Sequence, residues 1–137
     1  MIRTYFADSW FFIALLDRRD SHHAAASRLE SLTRGSRVVT HDSVLSEVLA
    51  HFSGDGRQAR TLAVGAVRRA ALSHLVIPAD RGLFIDALSL YEARPDKEYS
   101  LVDCMSMELM RARGITHVLT NDHHFRQEGF TVLSDAS

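Results

Sequence analysis

The sequence is short of several features that mark particular protein classes. Cys104 is its one cysteine, so no internal disulfide and no zinc site made of several thiolates can form. The formal net charge is -1, and the absence of a basic tail or patch disfavours tight passive binding of a polyanion. No apolar run approaches the roughly 20 residues that span a bilayer, and residues 1–6 lack the layout of a signal peptide. We therefore expect a cytoplasmic protein with no membrane partner.

What the chain does contain is a regular alternation of short apolar runs and amphipathic segments. Its 137 residues, 46% hydrophobic and 24% charged, suit one globular domain over residues 1–137. Strands are predicted at 3–7, 37–40, 74–77, 116–120 and 130–133, and helices at 10–16, 21–33, 43–52, 57–73, 80–93, 101–113 and 123–128. Asp42 or Ser43 is expected to cap the third helix. The alternation predicts a three-layer α/β/α fold with a central parallel sheet.

One helix-and-strand unit carries an acid at each end. Ser100 and Asp103 form a capping-box pattern at the start of the helix 101–113, and Gly114 is its expected stop. Asp122 follows the strand 116–120. In an open parallel sheet, ligands bind just beyond the C-terminal ends of the strands. Asp103 and Asp122 therefore predict a site for a hard cation.

Two more acids fall at comparable places. Asp8 follows the first strand, and Glu47 lies one turn into the third helix, beside an apolar stripe. Taken singly, Asp8, Asp103 and Asp122 can each be a helix cap, and Glu47 can be a solvated acid. Caps do not explain why three acids gather at one edge of the sheet, or why the fourth lies beside apolar residues. A shared divalent cation explains both, and ligands that are all oxygen select Mg²⁺ or Mn²⁺ over zinc.

The four acids lie in four short motifs: Phe6-Ala7-Asp8-Ser9, Leu45-Ser46-Glu47-Val48-Leu49, Ser100-Leu101-Val102-Asp103, and Leu119-Thr120-Asn121-Asp122-His123-His124-Phe125. In this order and at these separations, the motifs resemble those of PIN domains, and within that family those of VapC-type toxins. The resemblance covers nearly the whole chain. It implies a metal-dependent ribonuclease whose catalytic and metal-binding acids are Asp8, Glu47, Asp103 and Asp122, with Ser9, Ser100 and Thr120 as polar supports. Ser9 stands where many relatives have threonine, and it keeps the hydroxyl.

The resemblance also implies RNA as the substrate, Mg²⁺ or Mn²⁺ as the cofactor, and an antitoxin as a protein partner. Phosphodiester hydrolysis needs an activated water and a stabilised leaving oxygen, which one or two divalent ions can supply. The apolar run Trp10-Phe11-Phe12 and the helices near 24–32 and 44–52 predict a homodimer or a groove for an antitoxin helix. Repulsion among the acids is expected to raise the pKa of at least one of them in the metal-free protein.

Several alternatives compete with this interpretation. The chain can be a PIN-fold module that binds RNA or protein and whose acids are vestigial. A receiver-like phosphoacceptor domain needs adjacent acids after its first strand and a late lysine, and the sequence has neither. No two of the eight histidines have the i, i+4 spacing of a helical zinc site, so a phosphate contact by His123 or His124 is favoured over a histidine metal site. Cys104 is expected to be a packed core residue.

Overall fold

The structure of the protein is a computed structural model that describes residues 2–136. Its strands are β1 (Thr4–Ala7), β2 (Arg37–His41), β3 (Leu75–Ile77), β4 (His117–Leu119) and β5 (Thr131–Leu133). Its helices are α1 (Ser9–Leu16), α2 (His23–Thr33), α3 (Asp42–Phe52), α4 (Arg57–Ser73), α5 (Arg81–Ala93), α6 (Leu101–Arg113) and α7 (His124–Gln127). Within these residues, every predicted strand and helix is present, with ends that differ by a few residues.

The strands form one sheet in the order β3-β2-β1-β4-β5, and every pairing is parallel. Helix α1 packs against α2, α3 and α4, and α5 packs against α6. The predicted three-layer α/β/α fold with a central parallel sheet is therefore confirmed. None of the helices described in residues 2–136 is long and apolar enough to cross a membrane.

The centre of the sheet is β1, whose neighbours are β2 and β4. Phe6 and Ala7 have no exposed surface, and Phe6 pairs in register with Val39 on one side and Val118 on the other. The sequences of these strands are mostly continuous apolar runs, because a parallel sheet covered by helices is buried on both faces. Cys104 is also fully buried, as expected of a small packed residue.

Helix α6 begins and ends where the sequence predicts. The Ser100 hydroxyl accepts a hydrogen bond from the Asp103 backbone N–H, the Asp103 carboxylate accepts one from the Ser100 N–H, and both distances are 3.0 Å. Gly114 ends the helix in the left-handed region at φ 66°.

The start of α3 differs from the prediction. Its N-cap residue is His41 without a side-chain cap, and Asp42 instead accepts a 3.3 Å bond from the backbone N–H of Ala79.

A buried polar contact fixes α6 against the sheet one turn after its start. Nε2 of His41, at the end of β2, lies 2.9 Å from the Ser106 hydroxyl, and both side chains are fully buried. Burial lowers the pKa of His41 to about 4, so its imidazole is neutral near pH 7. The helix that carries Asp103 is thereby tied to the C-terminal edge of the sheet.

The left-handed end of α6 gives a prediction about stability. Gly114→Ala should lower the free energy of unfolding by about 1 kcal/mol, because a Cβ is strained at this φ although no atom lies within 4 Å of it. The melting temperature should fall by a few degrees. Gly54→Ala is the matched control, since Gly54 also has free space but no positive φ. Equal melting of the Gly114→Ala variant and the wild type would show that this cap contributes nothing.

Candidate active site

Asp8 lies at the C-terminal end of the central strand and is 6% exposed. It occupies the N-cap position of α1, yet its side chain makes no capping hydrogen bond. Its Oδ2 accepts a 2.8 Å hydrogen bond from the Thr120 hydroxyl, which follows β4. The capping explanation for Asp8 is therefore wrong, and the carboxylate is held across two neighbouring strand ends instead.

Asp122 is tied to the same threonine. Its backbone N–H donates to Thr120 Oγ1 at 3.1 Å, and its own Oδ1 accepts a 2.9 Å bond from the backbone N–H of His124. Nδ1 of His124 lies 3.1 Å from that same oxygen. A single hydroxyl thus links Asp8 to the turn that carries Asp122, and His124 folds back onto the Asp122 carboxylate.

Asp103 reaches the same region from the start of α6. One ligand atom each from Asp103, Asp122 and His124 can be chosen so that all three lie within 4.8 Å of one another. The capping box of Ser100 uses only Oδ2 of Asp103. The structural explanation of Asp103 is therefore correct, and it is compatible with a role at the site.

Burial, together with the charges of Asp103 and Glu47, raises the pKa of Asp8 to about 7, although the hydrogen bond from Thr120 lowers it. Burial likewise raises the pKa of Asp103, and the nearby charge of Asp122 adds to this effect. The sequence predicted raised pKa values from repulsion. Repulsion is present, but the loss of solvation is the larger cause.

Glu47 joins the cluster from α3, where it is half-buried. Burial raises its pKa, the neighbouring Ser9 side chain lowers it, and the charge of Asp103 raises it. Asp103 thus interacts with Glu47, with Asp8 and with Asp122. The structure brings all four predicted acids to one edge of the sheet, with Asp103 as their common neighbour.

The donors at this edge fit a hard divalent cation. Carboxylate oxygens are the ligands that Mg²⁺ and Mn²⁺ prefer, and burial deprives these carboxylates of the water that would otherwise solvate their charge. A cation is the counter-charge that such a cluster lacks, since no lysine or arginine forms a salt bridge with Asp8, Glu47, Asp103 or Asp122 among the described residues. The residues at this edge therefore fit a divalent cation in the type and the charge of their donor atoms.

His124 is the residue at this edge that the sequence analysis did not place. A phosphate contact by His123 or His124 stays a prediction, and the structure places an imidazole nitrogen of His124 within 4.8 Å of carboxylate oxygens of Asp103 and Asp122. The available signal was its position two residues after Asp122. An aspartate in a turn often accepts a hydrogen bond from the backbone N–H two residues on, which brings that residue back over the carboxylate.

Comparisons with known proteins agree with this arrangement. The PIN domain family matches residues 5–130. The chain is 29% identical over 126 residues to the 23S rRNA-specific endonuclease VapC20 of Mycobacterium tuberculosis, covering 91% of this chain and 94% of that protein. The crystal structure of the M. tuberculosis VapC20, a Sarcin-Ricin loop cleaving toxin, superposes with a TM-score of 0.83 at 28% identity, covering 93% and 96% of the two chains. DNA-bound VapBC from Salmonella typhimurium shares the fold, with a TM-score of 0.68 at 16% identity and coverage of 96% and 97%.

The raised pKa of Asp8 predicts how the stability of the metal-free protein depends on pH. The folded state binds this proton more tightly than the unfolded state, whose carboxyl has the ordinary value of 3.8. The stabilising contribution is complete below about pH 4 and is lost as the pH rises to about 7. The difference corresponds to roughly 4 kcal/mol. Asp8→Asn should remove this loss and raise the melting temperature of the metal-free protein at pH 8.

Thermal melts in chelator across this pH range measure the effect. Asp55→Asn is the control, because Asp55 is an exposed acid in the segment between α3 and α4. The control should keep the wild-type pH dependence. If Asp8→Asn also kept it, Asp8 would be ionised in the folded protein at all these pH values, and the raised pKa would be contradicted.

Proposed function

The chain belongs to the PIN domain family, and from this premise we propose that it is a metal-dependent ribonuclease, the toxin of a toxin–antitoxin pair. The observation that carries the proposal is the convergence of Asp8, Glu47, Asp103 and Asp122 at one edge of the sheet, with pKa values raised for the first three. The similarity to the endonuclease VapC20 over 91% of the chain supports the same activity.

The four acids would hold Mg²⁺ or Mn²⁺, with His124 beside them. When bound, such a cation supplies positive charge that activates water and stabilises the leaving oxygen of a phosphodiester. The acids alone would repel RNA, because substrate phosphates and carboxylates carry the same sign of charge. The metal requirement therefore follows from the charge of the site as well as from the family.

The polar neighbours hold the acids in place. Thr120 fixes the Asp8 carboxylate, and the Ser100 backbone N–H fixes Asp103.

Glu47 is the acid best placed to accept the proton of the attacking water. It is half-buried, whereas Asp8 is 6% exposed and already accepts a hydrogen bond. A raised pKa brings Glu47 closer to the range in which a carboxylate is an effective general base at neutral pH.

For the substrate, we propose ribosomal RNA. The relative VapC20 is named for 23S rRNA and for cleavage of the Sarcin-Ricin loop, and it aligns with this chain almost from end to end. A folded rRNA loop presents closely spaced phosphates and unstacked bases, which is the form of RNA that proteins most often recognise by sequence.

For the protein partner, we propose an antitoxin helix that binds an apolar groove along α1 and α4. Phe12, Leu15 and Ala70 contribute to a groove of about 300 Å³, and Leu16 belongs both to it and to a second groove of about 280 Å³ that includes Leu62. Apolar helices bind such grooves through residues spaced three and four apart. Two of the residues from which a partner was predicted, Phe11 and Phe12, are mostly core, with exposures of 2% and 7%.

We also propose a homodimer. Helix α5 exposes Ile85, Leu88 and Tyr91, whose exposed fractions are 45%, 46% and 53%. Their spacing of three residues places them along one side of the helix. An apolar stripe of this kind on a helix that already packs against α6 suits a symmetric contact between two copies.

The alternative is a PIN-fold binding module with vestigial acids. Vestigial acids have no reason to remain buried beside one another, because each carries the cost of lost solvation. The raised pKa values of Asp8 and Asp103 therefore favour an enzyme. The activity of an acid-to-amide variant decides between the two.

The first test is cleavage of ribosomes and of free 23S rRNA with Mg²⁺, with Mn²⁺ and with chelator. Asp103→Asn keeps an oxygen that can accept the Ser100 N–H while it removes the charge, so it should abolish cleavage without unfolding the protein. Asp86→Asn, an exposed change on α5, is the control and should cleave like the wild type. Full activity of Asp103→Asn would contradict the proposed function.

Metal binding has its own readout in thermal melts. A cation at a hundred times its Kd stabilises the folded state by about 2.7 kcal/mol, which corresponds to a rise of several degrees for a domain of this length. Asp103→Asn and Asp122→Asn should raise the melting temperature of the metal-free protein slightly and shrink the rise with Mn²⁺. Helix caps without a metal role would instead give neutral or lower melting temperatures and no response to Mn²⁺.

The partner is tested by co-expression with the product of the adjacent reading frame. Leu62→Asp should prevent co-purification because it places a charge in the groove, and it should leave RNA cleavage unchanged. Leu72→Asp is the control on the same helix, since Leu72 is 88% exposed and lies outside both grooves. Light scattering of the same samples gives the oligomeric state. A stable complex of the Leu62→Asp variant would exclude this groove as the antitoxin site.

A further inference from the structure

Glu128, directly after α7, is a buried acid whose role differs from that of the site acids. Its side chain is 5% exposed and accepts hydrogen bonds from three segments of the chain. Arg94, after α5, donates to both of its oxygens at 3.0 and 3.3 Å. Arg111, in the last turn of α6, donates at 2.6 Å, and the Tyr99 hydroxyl donates at 2.8 Å. One carboxylate therefore joins the end of α5, the segment before α6 and the end of α6.

The negative charge of Glu128 is compensated by two arginines. Burial alone would raise the pKa of Glu128, but the hydrogen bonds from Arg94, Tyr99 and Arg111 together lower it. Burial and the neighbouring Glu128 carboxylate raise the pKa of Tyr99 to about 12, so the tyrosine keeps its hydroxyl proton and remains a donor. Buried ion pairs add little net stability compared with apolar packing. The more informative property of this cluster is the fixed arrangement that it imposes on the three segments joined by Glu128.

Tyr99 connects this cluster to the candidate active site in two ways. It is 4% exposed and immediately precedes Ser100, the residue that caps α6 together with Asp103. Its ring also meets the ring of His124 edge-on, with 5.5 Å between the centroids and 60° between the planes. His124 in turn lies against Asp122. Both ligand-bearing segments are therefore in contact with a side chain that Glu128 holds.

We propose that Tyr99 and Glu128 are positioning residues that set the separation of Asp103 and Asp122, and through it the affinity of the site for its cation. The inference rests on the proposed metal-dependent function and adds residues that touch neither metal nor substrate. Residues that orient ligands from outside typically change metal affinity by about 10- to 100-fold when they are mutated. The hydrogen bond from the Tyr99 hydroxyl to Glu128 ties the aromatic ring to the ion-pair cluster.

The test uses Mn²⁺ binding to the folded protein, measured by calorimetry at a temperature below the melting transition. Tyr99→Phe removes the hydroxyl and keeps the ring, and it should raise the Kd for Mn²⁺ about tenfold. Glu128→Gln keeps the shape of the side chain and removes its charge, and it should act in the same direction. A loss of stability alone would lower the melting temperature and leave this Kd unchanged. In RNA cleavage, the metal concentration for half-maximal rate should rise while the rate at saturating Mn²⁺ recovers.

Two controls match these variants in chemistry. Tyr5→Phe removes a tyrosine hydroxyl in the N-terminal half of β1, away from the C-terminal edge that carries the acids, and Asp135→Asn weakens the two-bond ion pair with Arg28, which shares no hydrogen bond with Tyr99 or Glu128 among the described residues. Both should bind Mn²⁺ like the wild type. If Glu128→Gln does not fold, Tyr99→Phe decides the question, because its cluster keeps both arginines.

The Asp103→Asn variant distinguishes a failure of this inference from a failure of the proposed function. If Asp103→Asn abolishes Mn²⁺ binding while Tyr99→Phe leaves the Kd unchanged, the positioning role is overturned and the proposed function stands. If Asp103→Asn binds Mn²⁺ and cleaves RNA like the wild type, the proposed function fails and this inference fails with it. A raised Kd in Tyr99→Phe, with both controls unchanged, supports the positioning role.

Discussion

The site depends on keeping like-charged carboxylates together away from water. Asp103 interacts with Asp8, Glu47 and Asp122, and for the first two and for Asp103 itself burial is the largest cause of the raised pKa. Such a cluster is unfavourable by itself, because desolvation and repulsion both oppose ionisation. Favourable interactions elsewhere in the fold offset this unfavourable free energy. A buried parallel sheet fixes the strand ends, and α6 is held by caps at both ends and by the contact between His41 and Ser106.

Much of this was predictable from local signals. The alternation of apolar runs predicts the strands and helices, and the capping-box and glycine signals locate both ends of α6. Acids at strand ends predict where the site lies, because all C-terminal ends of a parallel sheet meet at one edge. These features depend on short stretches of sequence or on a topological rule. Neither requires knowledge of which distant side chains touch.

The parts that could not be predicted depend on distant contacts. Asp8 has the position of a helix cap, yet it bonds to Thr120, which is 112 residues away in sequence. Asp42 looks like a cap for α3 but instead bonds to the backbone of Ala79 after β3. In both cases a tertiary partner competes with the local one, and the residues next to each acid do not indicate which of the two bonds forms. The strand order β3-β2-β1-β4-β5 decides which partners are within reach.

The contrast between Glu128 and Asp8 distinguishes a structural acid from one of the proposed site acids. Both are buried, but Glu128 has two guanidinium groups and a tyrosine hydroxyl, and its pKa is lowered. Asp8 has one neutral hydroxyl and two acidic neighbours, and its pKa is raised to about 7. Glu128 is satisfied within the chain, whereas Asp8 has no positively charged partner, and we propose that a bound cation supplies this counter-charge. Sequence position does not reveal this difference, since both residues lie beside the end of a short element. The identity of the partners does, and it supports our proposal that a cation binds at this edge of the sheet.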